Sequence, residues 1–388
     1  MSNNKKVVLL AYFLIAIFFY LLLICVDIIL PRIAKFTAKN SLAISIIEQR
    51  KIDEDQAYID KAIKNGFQAV ILPHQYDTYP FNRIIKDTNT LPLGSLIREK
   101  TYFCNEGYGL AKYKSDRFGF RNNDDLWNSN IKINTLIVGD SFVHGACVEN
   151  ESTISGNLIK HGIKNINLGM SGNSPIHYAQ SIKTFAPIIK PKNIIIVFYA
   201  NDNNLIDIQT EFYKNFKKNS YSVLYNFDKL NNPQPSPQLI NTMKKIDNLV
   251  SSKESNEYKV KQMNRFIKLK KYFLLTNTRK LINNISLNKN PEGSTILLID
   301  YVLDLCDQIK CRPNFVIIPP NEFYDPDPSY KFYRNKIHNY LEKKNLNLLD
   351  MQDYFVEPSK KFWAIKGPHL SPLGYEIVAK NIIKQFLN

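Results

Sequence analysis

Five short apolar runs punctuate the second half of the chain, at Thr135 to Val138, Asn165 to Leu168, Ile194 to Tyr199, Asn314 to Ile318 and Asn347 to Asp350. Runs of this length, rich in β-branched residues and bounded by turn formers, predict buried strands. Between and after them, apolar residues recur at three- and four-residue spacing. That periodicity predicts helices at Thr153 to His161, Ile176 to Ile188, Thr295 to Ile309, Tyr330 to Lys344 and Pro372 to Phe386, the last opening on a proline suited to a first helical turn. Strands alternating with helices predict an α/β fold with a doubly wound, five-stranded parallel sheet.

The N-terminal pattern is different. Val7 to Val26 is a run of 20 residues with no charge and no proline, flanked by Lys5 and Lys6 on one side and by Asp27, Pro31 and Arg32 on the other. About 20 apolar residues suffice for one helix to cross a bilayer. A secretory signal has a shorter apolar stretch ending at small residues, and no such site follows Cys25. The run therefore predicts an uncleaved N-terminal transmembrane helix. Arg32, Lys35 and Lys39 balance the preceding lysines, so the positive-inside rule leaves the orientation open. The expected organisation is a membrane anchor over residues 1–32, an extension over 33–130 packing on the catalytic domain, and an α/β domain over 131–388 carrying an insertion at 205–290. Within the extension, 41–64 has helix-friendly composition, Gln68 to Leu72 reads as a strand, and Tyr76 to Leu93 as irregular. The aromatic and basic stretch Ser115 to Asn122 reads as a buttress for the sheet edge, with anion binding by Arg117 or Arg121 the lesser reading.

Charge changes this picture in one place. The formal net charge is +16, and the 205–290 insertion carries 16 lysines and arginines against 6 aspartates and glutamates. The basic character thus belongs to the insertion. Its stretch Lys259 to Leu275 interleaves basic residues with Met263, Phe266, Ile267, Phe273 and Leu274 at roughly helical spacing. It can lie on an anionic membrane surface, cover a site as a lid, or simply be a solvated helical insertion. Nucleic acid is not an expected partner, because no recognised binding motif accompanies the charge. Of five cysteines, Cys25 falls in the predicted span. Cys104, Cys147, Cys306 and Cys311 permit two disulfides in an oxidising compartment or four free buried thiols. No zinc-ligand spacing, phosphate-binding glycine loop or internal repeat is present, so neither metal nor cofactor is expected.

The chemistry concentrates in four blocks. The first predicted strand runs into Gly139-Asp140-Ser141, placing a hydroxyl at the carboxyl edge where ligands bind in open α/β sheets. Downstream come Asn167-Leu-Gly-Met-Ser-Gly172-Asn173, then Tyr199-Ala-Asn201-Asp202, and finally His369-Leu-Ser-Pro-Leu-Gly374-Tyr375. Together these blocks resemble the SGNH (GDSL-type) hydrolase superfamily. The resemblance runs from about Ile133 to the C-terminus and implies a flavodoxin-like fold with Ser141 as nucleophile and His369 as general base. It further implies an oxyanion hole formed by the backbone N–H groups of Ser141 and Gly172 and the Asn201 amide.

The physical logic is independent of the family. A serine hydroxyl needs a base within hydrogen-bond reach, and each preorganised oxyanion donor contributes roughly 3 to 4 kcal/mol. Asp140 and Asp202 read as supporting residues that brace their own turns. His144, three residues past the serine, reads as an exposed or wall-lining histidine. Two positions depart from the family pattern. An aspartate two or three residues before the histidine is expected from the resemblance, yet Gly367 and Lys366 stand there. A backbone carbonyl orients His369, or an acid from elsewhere does, or the site is impaired; Asp350 and Glu357 are near in sequence. Tyr199 stands where the third block has glycine, which would narrow the pocket.

The resemblance implies a serine esterase or O-acyltransferase acting on O-acyl groups, foremost acetyl, of an envelope polysaccharide or related glycan. A transferase would need an acyl donor delivered by a membrane partner. The same association places the large domain outside the cytoplasm, on a bacterial inner membrane facing the periplasm. The rival readings are a catalytically weak glycan-binding or assembly protein and a lipase or lysophospholipase. The residues leave the exact substrate, hydrolysis against transfer, and the oligomeric state open.

Overall fold

The computed structural model describes residues 12–26, 28, 64–69, 84–85, 92–97, 100–102, 104–109, 111–128, 131–203, 225–226, 233–250, 294–321, 330–355 and 360–388. The chain divides into two compact units, Met1–Asp53 with Lys253–Pro291, and Glu54–Ser252 with Glu292–Asn388. Of the first unit, residues 12–26 are helical, and apolar side chains such as Tyr12, Phe13, Phe18 and Phe19 are more than half exposed along it. No helix among the described residues is long and apolar enough to cross a membrane. Residues 7–11 of the expected span lie outside the described residues.

The second unit opens with a small three-stranded sheet in which β1 (Gln68–Ala69) runs parallel to β2 (Lys100–Tyr102), and β2 antiparallel to β3 (Lys112–Lys114). Only the first two residues of the strand expected at Gln68 to Leu72 are described. The main sheet has β4 (Thr135–Val138), β5 (Asn165–Asn167) and β6 (Asn193–Tyr199) in chain order. A two-stranded antiparallel pair follows, β7 (Tyr225–Asn226) with β8 (Gln234–Pro235), before β9 (Arg312–Ile318) and β10 (Leu348–Asp350) complete the main sheet. The main sheet is parallel throughout, in the order β10-β9-β6-β4-β5. Every strand of the main sheet coincides with an expected one to within two residues.

The reason is burial on both faces. β4 and six of the seven residues of β6 are buried, so these strands read as unbroken apolar runs, as sheets covered by helices on both sides do. The covering helices are α1 (Ser141–His144), α2 (Ile154–Lys160), α3 (Pro175–Ile189), α4 (Pro237–Val250), α5 (Ser294–Ile309), α6 (Tyr330–Lys343) and α7 (Pro372–Ile382). Pro372 opens α7, and the Ser371 hydroxyl caps it by accepting the Gly374 N–H at 3.0 Å. The helix ends in a π-helical turn, Ile383–Leu387, where one continuous helix was expected. In the basic insertion, α4 is described, whereas Lys259 to Leu275 lies outside the described residues.

Strand order fixes where a ligand can go. β4 leads to β5 on one side, and β6 then returns to β4's other flank. That reversal makes the carboxyl ends of β4 and β6 the place where a ligand is expected, and β4 runs through Gly139 and Asp140 into Ser141 there.

Candidate active site

Ser141 is the first residue of α1 and follows β4 through Gly139 and Asp140. The turn admits no side chain at Gly139, since a Cβ there would lie 2.4 Å from Val143 Cγ2 and 3.0 Å from the Val197 carbonyl oxygen. Asp140 caps α1 by accepting the Phe142 N–H at 3.0 Å. Its carboxyl is raised to about 6 by burial, against the Phe142 N–H, the charge of His369 and the Asn201 amide, all of which favour the ionised form. Asn201 is thus close to the residue preceding Ser141. As the first residue of its helix, Ser141 has a backbone N–H without an acceptor in that helix.

His369 arrives from a hairpin before α7, where Trp363 bridges Leu370 and the Ala364 N–H donates to the His369 carbonyl at 2.8 Å. Its Nε2 lies 3.0 Å from Ser141 Oγ, across 228 residues of sequence. The structure therefore brings the first and fourth sequence blocks into hydrogen-bond contact.

The second block forms the loop after β5. The Met170 N–H donates to the Gly139 carbonyl at 3.3 Å, and the Asn173 N–H to the Met170 carbonyl at 3.1 Å. Gly172 takes a φ of +74°, a left-handed conformation that glycine adopts without strain. The Ser171 N–H, next to it, donates to His144 Nδ1 at 3.1 Å. His144 is therefore neither exposed nor lining a wall. It is wholly buried, its Nε2 lies 2.7 Å from the Tyr113 hydroxyl, and it ties the Gly172 loop to the helix of Ser141. In the third block, Asp202 accepts the Tyr199 N–H and the Tyr178 hydroxyl, each at 2.8 Å. Tyr199 does not narrow an open pocket: it is buried, with its ring 4.3 Å from that of Phe142, and Phe142 in turn lies 5.2 Å from the His369 ring.

The other face of His369 meets a residue that the sequence reading missed. Glu106 Oε1 lies 2.9 Å from His369 Nδ1, and Oε2 accepts the His369 backbone N–H at 3.1 Å. Glu106 is 263 residues away in sequence and sits between β2 and β3. Two residues before it, Cys104 forms a disulfide with Cys147; Cys306 pairs with Cys311. The two acids considered from sequence do not serve: Asp350 is bound to Arg334 and lies 2.8 Å from His338 Nε2, and Glu357 lies outside the described residues. The signal for Glu106 was present but faint, a Cys-Asn-Glu triplet in the extension matched to a cysteine six residues after the serine.

The two arginines of the extension are not anion sites. Arg117 pairs with Asp124 at 3.0 Å, and Arg121 is buried and spends its guanidinium on the His144, Gly145 and Val148 carbonyls. Glu106, Cys147 and His369 place possible ligand atoms within 4.8 Å of one another. With Cys147 in a disulfide its sulfur has no thiolate to offer a metal, which leaves two ligands already bonded to each other.

No family model matches the sequence, and no curated protein does. Among solved structures, the chain is similar to a lipolytic protein of the G-D-S-L family from Desulfitobacterium hafniense, at 12% identity and a TM-score of 0.36, over 65% of this chain and 98% of that one. It is similar to a lipase/acylhydrolase from Enterococcus faecalis, at 14% identity and a TM-score of 0.35, over 65% and 95%. A family 3 carbohydrate esterase from Clostridium thermocellum is similar at 14% identity and a TM-score of 0.34, over 65% and 94%. These likenesses are of fold at low identity, and the chemistry of this site rests on its own geometry.

Proposed function

We propose that this chain is a serine esterase or O-acyltransferase that removes or transfers an O-acyl group, acetyl foremost, on an envelope glycan. One observation carries the proposal: a serine at the switch point of the sheet, with an imidazole nitrogen 3.0 Å from its hydroxyl oxygen. In the proposed cycle, His369 Nε2 takes the Ser141 proton as Oγ attacks the ester carbonyl. The developing oxyanion is held by the N–H groups of Ser141 and Gly172 and the Asn201 amide. His369 then protonates the departing sugar oxygen, leaving an acyl group on Ser141. A water or a second sugar hydroxyl, deprotonated by His369, attacks the acyl carbonyl and frees the serine. Hydrolysis and transfer share these residues and differ in the acceptor admitted and in how well water is excluded.

Residues 7–26 anchor the protein in this reading, with the large domain on the extracytoplasmic face. Two disulfides support that placement, since such bonds persist in oxidising compartments. The test is mass-spectrometric mapping of a fluorophosphonate probe on the detergent-purified full chain, beside His369→Ala. Modification of Ser141 in the parent, lost in the variant, is expected. An unmodified Ser141 in a folded parent would sink the esterase reading and leave glycan binding without catalysis in its place.

A further inference from the structure

Position 367 is one of the two where the family resemblance calls for an acid, and it holds a glycine. The structure gives the physical reason. A Cβ built on Gly367 would lie 1.8 Å from Glu106 Cδ and 2.1 and 2.2 Å from its two carboxyl oxygens. The volume that a side chain at 367 would fill is already filled by the Glu106 carboxyl. A side chain at 367 and the Glu106 carboxyl in its present position cannot share that volume, so one of them would have to move.

The carboxyl in that volume is well held. Glu106 is buried, its side chain 5% exposed, and both oxygens contact His369, one at the ring and one at the backbone N–H. The Lys366 N–H donates to the Glu106 carbonyl at 3.0 Å, and a Cβ on Gly107 would strike Ile365 at 2.7 Å, so the two loops lie backbone against backbone. An acceptor at Nδ1 keeps the ring proton there and turns the Nε2 lone pair toward Ser141. A carboxylate there also stabilises the imidazolium formed in the cycle.

The segment that brings Glu106 in, residues 104–109, has neither helix nor strand. It is fastened by the Cys104–Cys147 disulfide, which spans 43 residues and joins the segment to the turn after α1. The carboxyl and the nucleophile are thus linked covalently through two short stretches of chain.

Building on the esterase reading, we infer that Glu106 is the positioning acid of His369, moved from the usual place beside the histidine to the N-terminal extension, and that the Cys104–Cys147 disulfide latches it there. The extension is then part of the active site, and esterase output depends on the disulfide.

The experiment measures hydrolysis of 4-nitrophenyl acetate and the rate of fluorophosphonate labelling at Ser141, both on the full chain. Glu106→Gln, which keeps shape but not charge, is expected to lower kcat/KM by on the order of 10²- to 10⁴-fold and to move the acid limb of its pH profile to lower pH. Gly367→Asp restores an acid to the histidine's own segment. Combined with Glu106→Ala, the same aspartate refills that volume and should recover at least about tenfold over Glu106→Ala. Replacing both Cys104 and Cys147 by serine should slow labelling in the parent and leave the Glu106→Ala/Gly367→Asp protein unaffected, because that protein no longer needs the loop.

The inference is overturned if Glu106→Gln stays within about threefold of the parent with an unchanged pH profile. It is equally overturned if the double variant melts like the parent yet is no faster than Glu106→Ala, or if the parent lacking Cys104 and Cys147 labels at full rate. A parent that does not label at all refutes the esterase reading itself, a separate result.

Discussion

His144 is buried completely, and both of its ring nitrogens are engaged. A backbone N–H can only donate, so Nδ1 must accept from Ser171, and the ring proton sits on Nε2, donated to the Tyr113 hydroxyl. Protonating Nδ1 would break the bond that holds the Gly172 loop. Burial lowers the His144 pKa well below its usual value, and the nearby Arg121 charge lowers it further. In the window between that depressed value and about 6.5 the folded protein binds fewer protons than the unfolded chain. The His144 contribution to stability therefore rises with pH through the window, is complete above it, and is lost on acidification. The limiting slope is about 1.4 kcal/mol per pH unit for one proton. Buried Asp116 and Asp140, both raised to about 6, take up protons in the folded state and oppose this trend below about pH 6, so the test is the difference: between pH 7 and 5 the urea-unfolding midpoint of the parent should drop relative to that of His144→Gln. Parallel curves would show that another group carries the dependence. The motif blocks carry no hint of this residue's role, because a histidine one turn after a serine has the same spacing whether it faces water or the core.

The element that depends most on its surroundings is α1. Four residues are too few for a helix to persist alone, and α1 has no more than that. Gly145 ends it at a φ of +80°, and a Cβ there would meet Thr153 Cγ2 at 2.2 Å. Arg121 then donates to the His144, Gly145 and Val148 carbonyls at 3.3, 2.6 and 2.8 Å, and to Asn150 Oδ1 at 2.7 Å. The guanidinium also complements the negative end of the helix. The adjacent Asn122 exchanges hydrogen bonds with both the N–H and the carbonyl of Asn167 on the edge strand β5, at 2.8 and 2.9 Å. One short segment of the extension thus closes the sheet edge and props the serine's helix. Arg121→Met would strand three carbonyl oxygens and is expected to destabilise the fold by about 3 kcal/mol or more. Denaturant unfolding would measure it, and an Arg121→Met protein as stable as the parent would contradict the bracing role. Arg121→Lys should recover little, because an ammonium cannot span the fork.

At the scale of the whole molecule, the second unit combines residues 54–130 of the extension with the α/β domain outside 253–291, and the site draws on both: Glu106 from one, Ser141 and His369 from the other. The proposed anchor belongs to the first unit. If residues 7–26 hold the protein in a bilayer, the full chain should remain with membranes through an alkaline carbonate wash, and a chain lacking residues 1–32 should be released. Protease added to intact spheroplasts should then digest the large domain. A domain protected until lysis would place it on the cytoplasmic side and refute the proposed orientation.

The apolar pattern by itself determined the main sheet. Strands such as Asn193–Tyr199 lie between helices on both faces, so every position is selected for burial and the run is visible without any partner. The order of the four blocks likewise placed Ser141 at a strand end, since that depends on local sequence alone. What only tertiary structure decided are the contacts made by single polar side chains over long separations. Glu106 and His369 are joined by two loops and a disulfide, and no periodicity marks an acid that serves a histidine 263 residues away. Gly367 is the converse case: its meaning lies in the space it leaves, which the carboxyl of another segment occupies.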